Sequence, residues 1–208
     1  MKNAIILPNP KPHNQKINVV PLSSRPPQSR DEVCFFVSNF FARNFTQDLD
    51  ERFLEKVTQT SFLASGSRWQ IHAQKYLDYS LANEKLSDIK ADCKRISKIT
   101  ALDFFGKITQ KQMNTLLEQV GEPVWFAALP PTHISNVLFV LGKLFHYNVN
   151  KNAKRKLVKF AEGVLPSVAH FAMFSRFYAQ TAYFKAIGEY LYDFCDLVKN
   201  ALELKVEL

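Results

Sequence analysis

Glycine is scarce in this chain, at 6 of 208 residues, and no Gly-rich loop occurs among them. That excludes the P-loop and dinucleotide-binding signatures, which need bare backbone amides close to phosphate. Cysteine is scarcer still: Cys34, Cys93 and Cys195 are odd in number and far apart. Neither a disulfide framework nor a zinc site follows from such spacing, and a reducing cytoplasm suits it. The five histidines, His13, His72, His133, His146 and His170, show neither metal-ligand spacing nor a nucleophile motif. Arg68 and His72 share a helix face and read as a surface contact, not a nuclease site. No catalysis, cofactor or metal is expected.

Long apolar runs are missing too. The longest uncharged stretch, Pro123 to Gly142, carries three prolines together with His133, Ser135 and Asn136, which makes a poor membrane span. The residues ahead of Pro8, Pro10 and Pro12 are too few for the apolar core of a signal peptide. Acid is absent from residues 1–30, which hold five Lys or Arg; residues 31–150 balance, and residues 151–208 contribute three more to a net charge of +8. Net charge speaks to partners, and a polyanion is the natural one.

What is present is enough apolar material for a core, 47% of the residues. Residues 1–14, rich in Pro and Asn, read as a flexible basic tail, with Lys2 and Lys11, and Lys16 just beyond it, available to phosphate. Ile17 and Val19 then alternate with Lys16 and Asn18, the period of a short strand, and Pro21 stops it. Ser29 and Glu32 form a capping box that opens a helix lined by Val33, Phe36, Val37, Phe40 and Phe41 and closed at Asn44. Asp48 and Glu51 repeat the box for a second helix lined by Leu49, Phe53 and Val57. A lone strand needs a pairing partner, and the same strand of a second copy is the nearest one. The expected product is a homodimer whose antiparallel ribbon carries Lys16, Asn18 and Val20 on one face, sized for the major groove of double-stranded DNA. Arg25, Arg30 and Arg43 flank it, and Thr46 and Gln47 stand where a helix N-terminus binds phosphate.

This order over residues 15–65 resembles the ribbon-helix-helix DNA-binding module, although the joint from Ser23 to Gln28 is longer and richer in proline than that module's usual link. The expected fold class is therefore mainly α, with a ribbon-helix-helix-like module at 15–65 and an all-helical domain at 67–208, parted at Ser65-Gly66-Ser67. Within the second domain the periodicity predicts a helical hairpin from Arg68 to Asn83 and Leu86 to Ile96, then a short helix over Thr100 to Gly106. A helix capped by Thr109 and Gln112 follows and ends at Gly121. The next is lined by Ile134, Val137, Leu138, Leu141, Leu144 and Phe145. A basic amphipathic segment comes after it from Lys151 to Glu162, and last a long helix from Pro166 to about Leu204. In the basic segment Lys151, Arg155 and Lys159 share a face while Leu157, Phe160 and Val164 look away. The small residues Ala172, Ser175, Ala179, Ala182 and Ala186 form a seam for close helix approach.

The segments I-T-Q-K-Q-M-N-T-L-L-E-Q-V-G (Ile108 to Gly121) and N-V-N-K-N-A-K-R-K-L-V-K-F-A-E-G-V-L-P (Asn148 to Pro166) resemble proteins of integrating conjugative elements that include AcaB-like transcriptional activators. That resemblance implies a bacterial, cytoplasmic DNA-binding regulator that activates conjugative transfer genes, with another protein as a candidate partner for the helical domain. The alternative is a non-catalytic helical adaptor of the same kind of mobile element. A peripheral membrane-binding helical protein is a third class.

Overall fold

The computed structural model describes residues 29–46, 49–58, 68–105, 108–123 and 125–208, and among them every extended element is a helix. They are α1 (Arg30–Asn44), α2 (Glu51–Thr58), α3 (Arg68–Asn83), α4 (Leu86–Ile96), α5 (Gln110–Val120), α6 (Ile134–His146), α7 (Lys151–Tyr178) and α8 (Ala182–Ala201). The ribbon-helix-helix expectation is corrected here. The described residues contain no strand, and their one β contact is an isolated bridge between Ala101 and His133. The strand expected over Lys16 to Pro21 lies outside the described residues. Instead of resting on a ribbon, α1 packs on α6 and touches α8, and its apolar side chains join one continuous core that runs from Cys34 to Leu204.

Helix α1 begins where the sequence places it, because the Ser29 hydroxyl accepts from the Glu32 amide at 3.1 Å. Asp31 and Glu32 at its start and Arg43 at its end complement the helix dipole. The face it buries is rotated from the expected one: Cys34, Val37, Ser38 and Phe41 are covered, while Val33, Phe36 and Phe40 are only partly so. The rotation has a steric cause. Gly142 on α6 comes so near Ser38 that a Cβ on it would lie 3.0 Å from the serine's own, so small residues set the seam. Helix α2 is capped by Asp50, whose carboxylate accepts from Phe53 N at 2.7 Å, and Leu49, Phe53 and Val57 are buried as their spacing predicts.

Helices α3 and α4 each pack against α8. The stretch expected as a short helix over Thr100 to Gly106 is a single 3-10 turn, Leu102–Phe105. It follows the bridge at which Leu102 N donates to Thr132 O and Ile134 N to Thr100 O. Helix α5 carries the Thr109–Gln112 capping box and ends at Gly121, whose φ of 74° is the left-handed conformation that glycine adopts without strain.

The boundary expected near Pro166 does not exist, since α7 runs through it for 28 residues. Proline in an isolated helix interior costs about 3 kcal/mol. Burial of Leu157, Phe160, Ala161, Val164, Leu165, Val168 and Ala169 around it outweighs that cost. The break falls later, at Ala179–Thr181, where the long final helix was expected to continue. Asp92 of α4 makes this break stable: its Oδ2 accepts from Gln180 N (3.0 Å), Thr181 N (2.7 Å) and the Thr181 hydroxyl (2.6 Å). Glu84 accepts from Ala182 N and Tyr183 N at 2.6 and 3.1 Å, satisfying amides that the first turn of α8 leaves free. Helix α8 then folds back along α7, so the small-residue seam joins the two halves of the expected helix to each other. Phe171 and Tyr183 are fully buried at this fold-back, while Phe174 is 40% exposed.

Among the described residues α7 is the one helix long and apolar enough to cross a membrane, and 56% of its most apolar window is buried inside the fold.

Candidate nucleic-acid interface

Five of the eight residues expected to contact DNA, Lys16, Asn18, Val20, Arg25 and Gln47, lie outside the described residues. The other three do not converge. Arg30, exposed at the first position of α1, lines an open groove with Val33, Asp193, Asp196, Leu197, Asn200 and Ala201, where two carboxylates oppose an approaching phosphate. Arg43 sits at the other end of α1, roughly 20 Å along the axis, and its guanidinium covers the Phe53 ring at 5.1 Å. Thr46 donates its hydroxyl hydrogen to Arg43 O at 2.9 Å and so closes α1.

A denser positive surface occupies the first turns of α7. Lys151, Lys154, Arg155 and Lys159 are exposed, and none forms an ion pair among the described residues. Leu157, Phe160 and Val164 turn inward as their spacing predicts. Lys156 differs from its neighbours: it is half-buried and donates to Val120 O at 2.8 Å, tying α7 to the end of α5. The helix opens on Asn150, whose side chain accepts from Ala153 N at 2.9 Å, and its first turn holds no acid. Cations at that end oppose the helix dipole, which favours negative charge there by about 0.3–1 kcal/mol per group. Helix α1 obeys the rule and α7 breaks it.

Two exposed aromatic rings precede α7 in the chain. Trp125, 42% exposed, stacks on Phe139 of α6 with centroids 4.6 Å apart, and the Lys143 ammonium lies 5.8 Å from its ring. Lys143 is itself paired with Glu122 at 2.7 Å. The loop carrying Trp125 is held by Asn136, which is buried: its Oδ1 accepts from Phe126 N at 2.8 Å, and its Nδ2 reaches the carbonyls of Phe126, Leu129 and Pro130. Tyr147, 54% exposed, closes α6 four residues before α7 begins. The sequence analysis singles out neither ring, because Trp125 falls in a Pro-bounded loop and Tyr147 just past the apolar stripe of α6. The signal available was a Trp in a Pro-bounded loop ahead of a basic helix.

Elsewhere the polar groups are structural ties. Glu189 on α8 is fully buried, with Arg176 Nε at 2.5 Å and His72 Nδ1 at 2.8 Å, so His72 is bound across the fold to α8. Arg95 pairs with Asp92 at 2.7 Å and donates to Tyr178 O, bracing the α7–α8 break. Burial pushes the Cys34 thiol up to about 12, with Asp31 adding to it, and burial raises Cys195 as well. Thiols so protonated are not nucleophiles at neutral pH. Among the described residues no group of three His, Cys, Asp or Glu could hold a metal ion.

No protein-family model, curated protein or solved structure matches this chain.

Proposed function

We propose that the chain is a non-catalytic DNA-binding regulator that holds the phosphate backbone on the exposed basic face of α7. The observation that carries this reading is the exposed face of Lys151, Lys154, Arg155 and Lys159, which form no ion pair among the described residues and of which Lys151 and Lys154 stand in the first turn, where positive charge costs stability. A local rule broken without local compensation marks a functional surface. The bacterial setting and the part in activating conjugative transfer genes come from the sequence resemblance and belong to the same proposal, whereas the homodimer was expected from pairing of a strand that lies outside the described residues.

The test is titration of duplex DNA at two salt concentrations. Four phosphate contacts release enough counterions to give a slope of about −3.6 in log affinity against log salt, a loss of roughly a hundredfold between 50 and 200 mM. Reversing all four charges to Glu should abolish the binding. Salt-independent binding, or undiminished binding by the reversed variant, refutes the reading.

A second reading, the helical adaptor, is favoured by a different observation. Phe104 (61% exposed) and Phe174 (40%) meet at 6.2 Å, and Phe177 on the same helix is 73% exposed, an apolar patch of the kind that binds proteins. Co-purification of a specific protein that Phe177→Ser releases would favour it.

A further inference from the structure

We infer that the α7 basic face and the rings of Trp125 and Tyr147 form one surface that takes single-stranded nucleic acid, stacking unpaired bases on the rings while the cations follow the phosphates. The inference rests on the reading of α7 as a phosphate-binding face and names the form of nucleic acid that face selects.

Position supplies the first argument. Phe139, Lys143 and Tyr147 recur every four residues along α6, and Tyr147 N still donates to Lys143 O at 3.0 Å, so the row continues to the helix end. Trp125 stacks on the first residue of the row and lies under the ammonium of the second, and the third follows the first by about 12 Å along the axis. Lys151, Lys154 and Arg155 begin four residues beyond Tyr147. Two exposed rings, with the Glu122-paired Lys143 between them, thus lead along α6 to cations that form no ion pair among the described residues, the composition of a single-strand binding surface.

Preorganisation supplies the second. The Phe139 stack and the four Asn136 hydrogen bonds fix the Trp125 loop, and Tyr147 lies edge-on to His146 at 5.0 Å, while His146 packs on Phe35 at 4.7 Å. Rings already held in place lose little freedom when a base arrives. Chemistry supplies the third. Duplex bases are already stacked on one another and offer only phosphates to this face, whereas unpaired bases can stack on the rings. A membrane surface would use the same cations, and Val149 is 83% exposed beside them. Two aromatic rings, set apart and each braced from behind, favour bases over lipid.

The experiment compares a labelled 12-nucleotide oligothymidylate with a duplex of equal length by fluorescence anisotropy, using the full chain. Trp125→Leu and Tyr147→Leu should each weaken single-strand binding about tenfold and leave duplex binding within about twofold. In a Trp69→Phe background Trp125 is the remaining tryptophan, and the oligonucleotide should quench its emission, a readout that does not depend on the ring variants folding. Absence of quenching, or equal losses on both nucleic acids, overturns the inference. If Arg155→Glu with Lys159→Glu abolishes duplex binding while the ring variants leave single-strand binding unchanged, the inference fails and the function proposed above stands. If the chain holds neither nucleic acid, both fail. Capture by phosphatidylserine vesicles without oligonucleotide binding assigns the face to membranes and overturns both.

Discussion

The hydroxyl of Tyr183 on α8 donates to Asn44 Oδ1 at the end of α1 over 2.6 Å, joining residues 139 apart in the chain, and both side chains are fully buried. Asn44 Nδ2 donates in turn to Phe40 O at 2.8 Å, so the carboxamide is occupied on both sides. Tyr183→Phe should cost about 1–2 kcal/mol, because Asn44 Oδ1 is left buried without a partner. Asn44→Ala should cost about 1–3 kcal/mol, since it orphans the buried tyrosine hydroxyl and removes the side-chain bond to the Phe40 carbonyl. Denaturant unfolding of the two singles and the double checks the coupling. Simple additivity would mean that the bond contributes nothing of its own.

Glycine at 188 and glycine at 163 should respond to alanine in opposite directions. A Cβ at 188 would meet Ala172 O at 2.8 Å and Arg176 N at 2.9 Å, which are backbone atoms of α7 and cannot step aside. A Cβ at 163 would meet the end of the flexible Leu116 side chain at 2.7 Å. Both substitutions gain about 1 kcal/mol of helix propensity, but overpacking a rigid seam costs about 1–3 kcal/mol or more. Gly188→Ala should lower Tm by several degrees and Gly163→Ala should leave it level or raise it. The same sign for both would contradict this seam.

These two residues mark the limit of what the sequence told. Local signals were legible: the Ser29 acceptor at the start of α1, the Thr109–Gln112 box, the end of α5 at Gly121 and the inward row of Leu157, Phe160 and Val164 are found where the sequence places them. What local pattern could not reveal was set at a distance. Asp92 and Glu84, some ninety residues upstream, break the final helix at Ala179–Thr181, where the local sequence has neither Gly nor Pro to announce a stop. A ribbon was inferred from alternation at residues 16–19 and from the order of elements. Yet the helix after it belongs to the common core, because Ser38 opposite Gly142 draws α1 onto α6. At the candidate site the cations were visible as a run in the sequence. That they form no ion pair among the described residues depends on where the acids of the fold lie.

Acid should weaken the fold through His133. The residue is 5% exposed, its Nδ1 accepts from Ser135 N at 3.1 Å, and burial lowers it from 6.5 to about 4. Between pH 6.5 and 4 the unfolded chain binds a proton that the folded chain refuses, so stability rises with pH across that window. The contribution is complete above 6.5 and is lost as pH falls through the folded value, up to about 3 kcal/mol in all. His133→Asn keeps an acceptor at the start of α6 and removes the titration. Urea unfolding of wild type and variant between pH 7 and 4 should show a shallower acid slope in the variant. Parallel curves would mean that His133 carries none of it.

The last expectation joins stability to function at a single turn of helix. Lys151 and Lys154 stand at the positive end of α7, whose first turn holds no acid. If those charges serve a ligand, removing them should make the free protein more stable, the usual relation between a functional surface and the fold that bears it. Lys151→Glu with Lys154→Glu turns two unfavourable dipole contacts into favourable ones, for a gain of about 1 kcal/mol at low salt. Tm should rise by about 2–4 °C, and the gain should shrink as salt screens the charges. The same variant should lose nucleic-acid affinity more than tenfold, with a shallower salt slope. Calorimetry and anisotropy on one preparation decide the matter. A variant that is destabilised, or that binds as tightly as the parent, would show that these lysines are held in place by the fold and not by a partner.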